Sequence, residues 1–424
     1  MSGRGAIGMN FQNALEMSLK IAVMFLSAAI LSSCSDAQND GAVKEIKIGA
    51  LYDATGPTSD TGWHYVDGLR DYFRHLNEEM GGVADGVKIN FMGTDYQYKI
   101  PLALTAYSKF VKQDNVSAII GWGTGDSEAL KGKIVQDQIP YLSVSLSQHL
   151  VWPPKWNFIP VTTYADHVRT VMKYFKDNWT ENRDPRMALI YNDSSYGRAP
   201  VEAAEKYAPV IGIDLVGKEI VGLQDLEATS QLLRIKEARA DFVFIQETFT
   251  ATATVLKDAK KLDMGNVTFF GNIYGTGQKV VELAGEAAEG YFGVMAFPLW
   301  DEEGEGVAFA RELNAKYHPD VNYREPQYIT GVVNAMIMQR AIEIALEANG
   351  GDPQKVSGPE IRKGMQNISD FDPMGLTTRI NYSANDHRGA KGVKLVTIKN
   401  GKLAPHTDWL ETPEVPEAEI RGEQ

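Results

Sequence analysis

Apolar and polar residues follow one another along the chain in blocks that predict strands and helices in turn. The block EIKIGALYD (residues 45–53) is short and apolar, as expected for a buried strand. In residues 61–80 the large apolar side chains recur at steps of three and four, which predicts an amphipathic helix. The blocks 87–95 and 116–121 predict further strands, with a helix between them that opens at Pro101. Strands that alternate with helices pair in parallel, so the pattern predicts a layered α/β domain.

The same pattern starts again near residue 164. Helix and strand then alternate up to a predicted strand at 266–271, which gives two α/β units of similar size. The remaining predicted elements are helices at 301–317, 328–348 and 359–367 and short strands near 377–381 and 393–398. This late mixture indicates that the chain crosses back between the two units.

The N-terminal segment has the pattern of a secretory signal. Residues 21–31, IAVMFLSAAIL, follow Lys20 and are apolar, but they are too short to cross a bilayer as a helix, which needs ~20 residues. The end of the pattern, LSSC (residues 31–34), resembles the bacterial lipobox, which implies removal of residues 1–33 and lipidation of Cys34. The alternative is an ordinary signal followed by an unmodified cysteine.

Polar segments are predicted on both sides of the folded part. Residues 34–42 are small and polar and are interpreted as a tether, and the acidic, proline-containing residues 404–424 as a loose tail. Met17 precedes the signal more closely than Met1 or Met9, and the start codon stays open among the three.

Charge and cysteine content exclude some classes of function. The 424-residue chain has a formal net charge of −13, which argues against nonspecific binding to nucleic acid. Cys34 is the single cysteine, so neither an internal disulfide nor a Cys₄ zinc site can form.

The stretch SAIIGWGTGDSEAL (117–130) predicts a strand, a glycine-rich loop and a helix. Backbone N–H groups at a helix start favour a negative group, so a carboxylate or other small anion is expected near Gly123–Gly125. The spacing is not a dinucleotide fingerprint, because the sixth position from Gly121 is Asp126, and no Gly-Lys-Ser/Thr follows for a P-loop. The alternative is that the glycines serve only a tight turn.

The other predicted strand ends are rich in hydroxyl, amide and aromatic side chains, which is typical of a small-molecule cleft. Motifs for an enzyme are missing from the sequence, including Gly-x-Ser-x-Gly and His-Glu-x-x-His. The seven histidines do not share metal-ligand spacing, and Asp193 with the serines after it is interpreted as a turn or cap. We therefore expect a binding protein with no cofactor, no metal and no catalytic residues.

Several segments together resemble the branched-chain amino acid-binding family of periplasmic (type I) solute-binding proteins of ABC importers. They are IKIGALYDATGPTSDTG, VSAIIGWGTGDSEAL, IPYLSVS and DPMGLTTRINYSANDHRG, which occur in this order. The resemblance implies a two-lobed α/β fold, each lobe a parallel sheet flanked by helices, with three hinge crossings. It places lobe 1 at 43–163 plus 298–376 and lobe 2 at 164–297 plus 377–403.

The resemblance also implies ligand-binding positions. The family holds a ligand carboxylate with the glycine loop and with hydroxyls at two strand ends. The matching residues here are Gly123, Thr124, Gly125, Ser145 and Ser147. Gly125 replaces the usual hydroxyl residue, so one side-chain donor is absent.

On the other lobe, the resemblance implies that Tyr196 packs over the ligand. Amino-acid receptors of the family carry an acidic residue after the strand that matches TFFG, but this chain has Asn272 and Tyr274 there and no acid. Glu247, next to Thr248, is the candidate substitute; otherwise the ligand is not an α-amino acid, because a buried ammonium without a carboxylate is costly.

Bulky aromatic residues complete the candidate cleft. Trp63, Trp122, Phe249 and Tyr274 are each interpreted either as a cleft wall or as core. They favour a small carboxylate or amide with an apolar or aromatic part, and a branched-chain amino acid is still compatible.

The resemblance implies a lipid-anchored receptor in the bacterial periplasm or at the cell surface, which delivers its ligand to a membrane permease. A monomer is expected. The alternative is a ligand-sensing receptor or amide sensor of the same fold that is not coupled to transport.

Overall fold

The computed structural model describes Gly3, residues 44–84 and residues 86–413. The predicted signal segment, apart from Gly3, lies outside the described residues, as do Cys34 with its tether and residues 414–424 of the predicted tail. The folded unit begins at Glu45, where the first predicted strand begins.

The first sheet contains five parallel strands. They are β1 (Glu45–Tyr52), β2 (Lys88–Asp95), β3 (Ala118–Gly121), β4 (Tyr141–Ser143) and β5 (Asn157–Phe158). Their order is β2-β1-β3-β4-β5. Strand β1, in the interior of the sheet, is mostly buried because helices cover both faces of a parallel sheet, which explains its continuous apolar run.

The helices that follow these strands show the predicted spacing of apolar residues. They are α1 (Ser59–Glu78), α2 (Ile100–Lys109), α3 (Thr124–Asp137) and α4 (Gln148–Val151). In α1 the residues Tyr65, Leu69, Tyr72 and Leu76 form one buried stripe. Each helix start lies at the carboxyl end of a strand, which is where α/β sheets place ligands.

The second sheet contains eight strands. They are β6 (Arg186–Tyr191), β7 (Asp214–Ile220), β8 (Phe242–Gln246), β9 (Thr268–Gly271), β10 (Phe292–Met295), β11 (Gly392–Lys399), β12 (Lys402–Pro405) and β13 (Leu410–Glu411). Strands β6 to β10 pair in parallel, in the order β10-β9-β8-β6-β7. The expected parallel sheet is therefore present, and β11 to β13 add antiparallel pairs at its β10 edge.

The prediction of a strand near 377–381 is wrong. The structure has only an isolated antiparallel bridge there, between Phe371 and Ile380. The stretch LTTRI contains β-branched residues, but strand formation also needs a neighbouring strand to pair with, which the sequence pattern does not reveal.

The remaining helices are α5 (Tyr164–Asp177), α6 (Ser195–Arg198), α7 (Val201–Tyr207), α8 (Thr229–Glu237), α9 (Phe249–Lys261), α10 (Gln278–Ala284), α11 (Glu305–Tyr317), α12 (Pro326–Ala348) and α13 (Gly358–Gln366). The helix predicted at 197–208 is divided into α6 and α7, with Pro200 between them. Proline lacks the N–H that a continuous helix needs.

Helix α12 returns to the first sheet and packs against α1. Two glycines permit this, because a Cβ at Gly68 would overlap the carbonyl of Tyr328, and one at Gly331 would overlap that of Tyr65. Among the described residues, α12 is the one helix long and apolar enough to cross a membrane, but most of its 23 residues are buried within the protein. It is therefore a core helix.

We call the first sheet with α1–α4 and α11–α13 the first lobe, and the second sheet with α5–α10 the second lobe. Within residues 44–413 three segments pass between the lobes, at 159–163, 296–304 and 367–391. The predicted two-lobed α/β fold with three crossings is confirmed. The residue boundaries predicted for each lobe stay a prediction.

Candidate ligand-binding site

A small cavity of about 20 Å³ lies between the lobes, at the carboxyl ends of their parallel strands. Five aromatic side chains line it, those of Tyr98, Trp122, Tyr164, Tyr196 and Tyr274. The other five lining residues are Thr58, Thr61, Gly123, Thr124 and Thr248. Small-molecule sites typically combine such apolar walls with a few polar groups.

On the first lobe, a buried carboxylate at the end of β1 organises the cavity wall. Asp53 accepts hydrogen bonds from the Thr58 N–H (2.9 Å), the Thr58 hydroxyl (2.7 Å) and the Gly56 N–H (2.5 Å). The Thr58 Oγ1 in turn accepts from the Trp122 indole N–H at 2.9 Å. Hydrogen bonds within the first lobe thus join the strand end, the start of α1 and the glycine loop.

The glycine loop holds an acid of the protein itself. Gly123 N–H donates to the Tyr96 hydroxyl oxygen at 3.1 Å, and that hydroxyl donates to Asp126 Oδ1 at 2.7 Å. Burial raises the pKa of Asp126 to about 7, opposed by hydrogen bonds from Tyr96 and the loop backbone. A Cβ at Gly123 would overlap both Asp126 and Tyr96, so this position requires glycine. An anion bound at the loop would therefore compete with the Tyr96 hydroxyl and the Asp126 carboxyl, which already lie there.

Three of the residues implied by the resemblance lie outside the lining of the cavity. Ser145 stands behind Thr124, with their hydroxyl oxygens 2.7 Å apart. Ser147 donates to Glu128 at 3.3 Å, and Gly125 faces the Ile100 side chain. Their roles in binding stay predictions.

On the second lobe, short helical turns present the tyrosines. Ser194 caps α6 by accepting from Gly197 N–H, and Asn272 caps the 3₁₀ turn Ile273–Gly275 by accepting from Tyr274 N–H. The Tyr196 hydroxyl donates to Asn272 Oδ1 and to the Glu247 carbonyl, both at 3.0 Å. Asn272 thus positions two cavity tyrosines without lining the cavity.

Glu247 lies directly behind the cavity wall. It is fully buried, and burial raises the pKa of its carboxyl well above the usual range. Its Oε2 accepts from the Asn192 amide at 3.0 Å, while Oε1 has no hydrogen-bond partner. Its neighbour Thr248 lines the cavity, with a buried hydroxyl that lies near the Asp60 carboxyl but has no partner within hydrogen-bond distance.

Two of the predicted aromatic residues lie away from the cavity. Trp63 is 37% exposed and lies against the Arg324 guanidinium, and its ring is tilted by 32° to that of His64 with centroids 3.6 Å apart. Phe249 is fully buried in the core of the second lobe. Of the two interpretations given for Phe249, cleft wall or core, the structure supports the core.

The sequence reasoning missed four residues of the lining, namely Thr58, Thr61, Tyr98 and Tyr164. The two threonines belong to the strand-end segment YDATGPTSDTGW, so that segment carried a usable signal. Tyr98 has a left-handed backbone (φ 56°) in the loop after β2, and Tyr164 opens α5 after the first crossing. Nothing in their local pattern marks them as facing the other lobe.

The lobes touch each other around the cavity. The Tyr274 hydroxyl donates to the Val144 carbonyl at 2.6 Å. Asp60 of the first lobe accepts from the N–H and hydroxyl of Thr250, at 3.1 and 3.0 Å, near the start of α9. Glu325 accepts from the N–H groups of Gln278 (3.0 Å) and Lys279 (2.7 Å) at the start of α10.

These contacts supply caps that the two helices lack. Neither Thr248 before α9 nor Gly277 before α10 caps its own helix through a side chain. First-lobe carboxylates satisfy these N–H groups instead, and a negative group is favourable at a helix start. Burial raises the pKa of Asp60 and that of Glu325, the latter to about 7.

Comparisons with known proteins agree with this architecture. Residues 45–402 match the family model of periplasmic binding proteins. Among curated proteins, Leu/Ile/Val-binding protein homolog 7 of Brucella suis is 25% identical over 224 residues, which are 51% of this chain and 54% of that protein. The chain therefore spans about half the length of the curated relatives it matches.

Solved structures cover most of the chain. A branched-chain amino acid ABC transporter protein from Thermus thermophilus, with bound valine, is 27% identical with a TM-score of 0.81, covering 89% of this chain and 98% of that one. An ABC transporter substrate-binding protein from Aeropyrum pernix is 26% identical with a TM-score of 0.80, covering 90% and 99%. None of these three relatives is described as an enzyme. The chain belongs to the periplasmic binding protein family, is related to the branched-chain amino acid-binding proteins of ABC transporters, and by that membership has an extracytoplasmic location.

Proposed function

We propose that this protein is the solute receptor of an ABC importer, which traps a small ligand between its two lobes and delivers it to a membrane permease. The observation that carries the proposal is the cavity itself, which both lobes line at their strand ends. Three crossing segments between otherwise separate sheets are the arrangement that hinge closure requires.

The proposed ligand is a small molecule bearing a carboxylate together with an apolar or aromatic part. Five aromatic rings line the cavity and favour apolar surface on the ligand. Branched-chain and other apolar amino acids, and related acids or amides, belong to this class. The bound valine of the Thermus relative supports it.

The proposed membrane anchor is a lipid on Cys34. The support is the LSSC sequence at the end of the signal-like segment, since the sole cysteine occupies the position that a lipobox requires. We expect the full chain to incorporate a labelled fatty acid and to fractionate with membranes, and Cys34→Ser to abolish both. Continued membrane attachment of Cys34→Ser would contradict the anchor.

Thermal unfolding of the purified full chain tests the proposed receptor. The panel contains apolar amino acids, aliphatic and aromatic acids, and short amides, each at millimolar concentration. A ligand at 100 times its Kd adds ~2.7 kcal/mol of stability, which gives a clear rise in Tm. The absence of any shift over the whole panel would contradict the proposed ligand class.

A second measurement separates transport from sensing. We expect the ligand that raises Tm to be imported by cells that carry this protein, and import to fall when Cys34 or the cavity is altered. Undiminished import in a deletion strain, with the ligand still bound in vitro, would favour the sensor of the same fold.

A further inference from the structure

The cavity between the lobes is too small for any of the proposed ligands. Its volume of about 20 Å³ is close to the least that one water molecule needs. The lobes already touch around it, through the Tyr274 hydroxyl on the Val144 carbonyl and through the Thr250 N–H on Asp60. A ligand held between lobes that meet in this way needs space that a lining side chain now fills.

Four of the five aromatic side chains in the lining are held by hydrogen bonds. The pairs are Trp122 with Thr58, Tyr274 with the Val144 carbonyl, Tyr196 with Asn272 and the Glu247 carbonyl, and Tyr164 with Thr124 and Ser145. Moving any of these four rings breaks at least one buried hydrogen bond, which is costly. The ring that gives way to a ligand is therefore expected to be the fifth.

Tyr98 is that fifth ring, and its side chain is held differently. Within the described ranges, no group forms a hydrogen bond with the Tyr98 hydroxyl, and the residue is only half-buried. Its ring lies on the glycine loop, because a Cβ built at Gly123 would come within 2.7 Å of Tyr98 Cε2. The ring therefore covers the loop at which a ligand carboxylate is expected.

The backbone that carries Tyr98 is strained. Gln97 and Tyr98 both have left-handed conformations, with φ of 57° and 56°, which residues other than glycine seldom adopt. The Asp95 carboxylate holds this turn, since it accepts from the Gln97 N–H at 2.9 Å and from the Thr55 hydroxyl at 2.7 Å. Strain of this kind persists where the surrounding structure imposes it, and it is frequent at ligand clamps. A change in the turn that moves Tyr98 off the glycine loop would release the strain.

We propose that Tyr98 is a plug in the ligand site, whose ring occupies the space over the glycine loop and is displaced when a ligand binds between the lobes. The inference rests on the proposed receptor function and names the residue that limits the size of its ligand. Displacing the ring uses part of the binding free energy, so the plug weakens the apparent affinity. The loss is expected to be larger for a bulky ligand, which needs the whole space of the ring.

Calorimetric titration of the purified full chain and its Tyr98 variants tests the plug. The probes are valine, leucine and phenylalanine, together with 3-methylbutanoate and phenylacetate, which lack the ammonium. We expect Tyr98→Ala to bind at least one probe about tenfold more tightly than the wild type does, with a larger gain for the aromatic probes than for the aliphatic ones.

Tyr98→Phe is the matched control for this substitution. It keeps the ring and removes a hydroxyl that has no hydrogen-bond partner among the described residues, so its affinities should stay close to those of the wild type. Circular dichroism of each variant verifies that it is folded.

A chemical readout follows the ring itself. Tetranitromethane nitrates exposed tyrosine rings, and mass spectrometry of tryptic peptides locates the nitrated residue. We expect a saturating amount of the tightest probe to raise the nitration rate of Tyr98 several-fold, because the displaced ring enters solvent. Tyr317 is the internal reference and should react at an unchanged rate, since it is also half-buried but lies on α11, outside the cavity lining.

The outcomes distinguish the plug from the function on which it rests. Equal affinities of the wild type and Tyr98→Ala for every probe that binds overturn the plug and leave the receptor function supported. Weaker binding of every probe to Tyr98→Ala, or slower nitration of Tyr98 with the probe present, overturns it too, because the ring would then be a fixed wall against the ligand. No binding of any probe to either protein overturns both the plug and the proposed ligand class.

Discussion

The two walls of the cleft are built differently. The first-lobe wall is joined by hydrogen bonds within its lobe: Asp53 holds the start of α1, and Asp126 Oδ1 holds the glycine loop, while Asp126 Oδ2 has no hydrogen-bond partner. The second-lobe wall places tyrosines on short turns and leaves Thr248 Oγ1 and Glu247 Oε1 without hydrogen-bond partners. The walls differ in where their hydrogen bonds run: the bonds of Asp53 and Asp126 stay within the first lobe, whereas Tyr274 of the second lobe donates across the cleft to the Val144 carbonyl.

The largest expected effect comes from Gly123→Ala, which disrupts the first-lobe wall. Gly123→Ala places a Cβ against the Asp126 carboxyl and the Tyr96 hydroxyl, which lie in the fully packed loop. We expect the free energy of unfolding to fall by about 3 kcal/mol, as in other overpacked sites. Urea unfolding measures this value.

Gly125→Ala is the matched control for that substitution. Its Cβ would approach only the end of the Ile100 side chain, at 3.2 Å, which can move. We expect a change below about 1 kcal/mol. Equal losses from the two variants would show that the network around Asp126 does not set the conformation of the loop.

The next effect concerns the second-lobe wall. Tyr196→Phe removes the donor to Asn272 Oδ1 and to the Glu247 carbonyl, although each acceptor keeps one donor, the Tyr274 N–H and the Asn272 amide respectively. We expect a loss of about 1.5 kcal/mol in the free energy of unfolding, because an ordinary hydrogen bond contributes about 0.5–1.5 kcal/mol and this hydroxyl makes two. An unchanged stability would mean that the ring alone holds this wall in place.

The pH dependence of stability tests two buried carboxyls, that of Asp126 within the first lobe and that of Glu325 at a contact between the lobes. Burial raises the pKa of both Asp126 and Glu325 to about 7, so the folded protein binds more protons than the unfolded chain between about pH 7 and the ordinary carboxyl range. The free energy of unfolding should therefore rise as pH falls from 8 to 6, by on the order of 1–2 kcal/mol. Thermal unfolding across this range measures the slope.

Two substitutions test which carboxyl causes this pH dependence. Asp126→Asn and Glu325→Gln should each reduce the pH dependence of the free energy of unfolding. Only Glu325→Gln should also alter the contact with α10. The charged or titratable neighbours of Glu325 there are Lys279, Glu282 and Tyr323. A slope that keeps its full size in the double variant would assign the pH dependence to other groups.

The smallest effect on folding is expected at Thr248. Its hydroxyl is buried without a partner in hydrogen-bond distance, so Thr248→Val should change the free energy of unfolding by less than about 1 kcal/mol. Ligand affinity should nevertheless fall several-fold if this hydroxyl meets the ligand. The control is Thr254→Val on α9, the helix that follows Thr248, where the hydroxyl already donates to the Thr250 carbonyl. Similar affinities for both variants would remove Thr248 from the site.

Part of the candidate site was accessible from the sequence because strand ends are recognisable. Trp122, Gly123 and Thr124 follow a strong apolar strand, and the structure places them in the cavity lining. Trp63 and Ser147 follow equally plausible segments but lie outside the lining. The difference is the direction of each side chain, which depends on how the helix or turn packs.

The alternation of apolar blocks was enough to determine the α/β class, the order of most elements and the restart near residue 164, because burial against a sheet imposes a period on local sequence. The tertiary structure alone decided which loops meet across the cleft, that Asp60 and Glu325 cap helices of the opposite lobe, and that Tyr98 and Tyr164 complete the cavity. These contacts join residues far apart in the chain, and local periodicity carries no information about such partners.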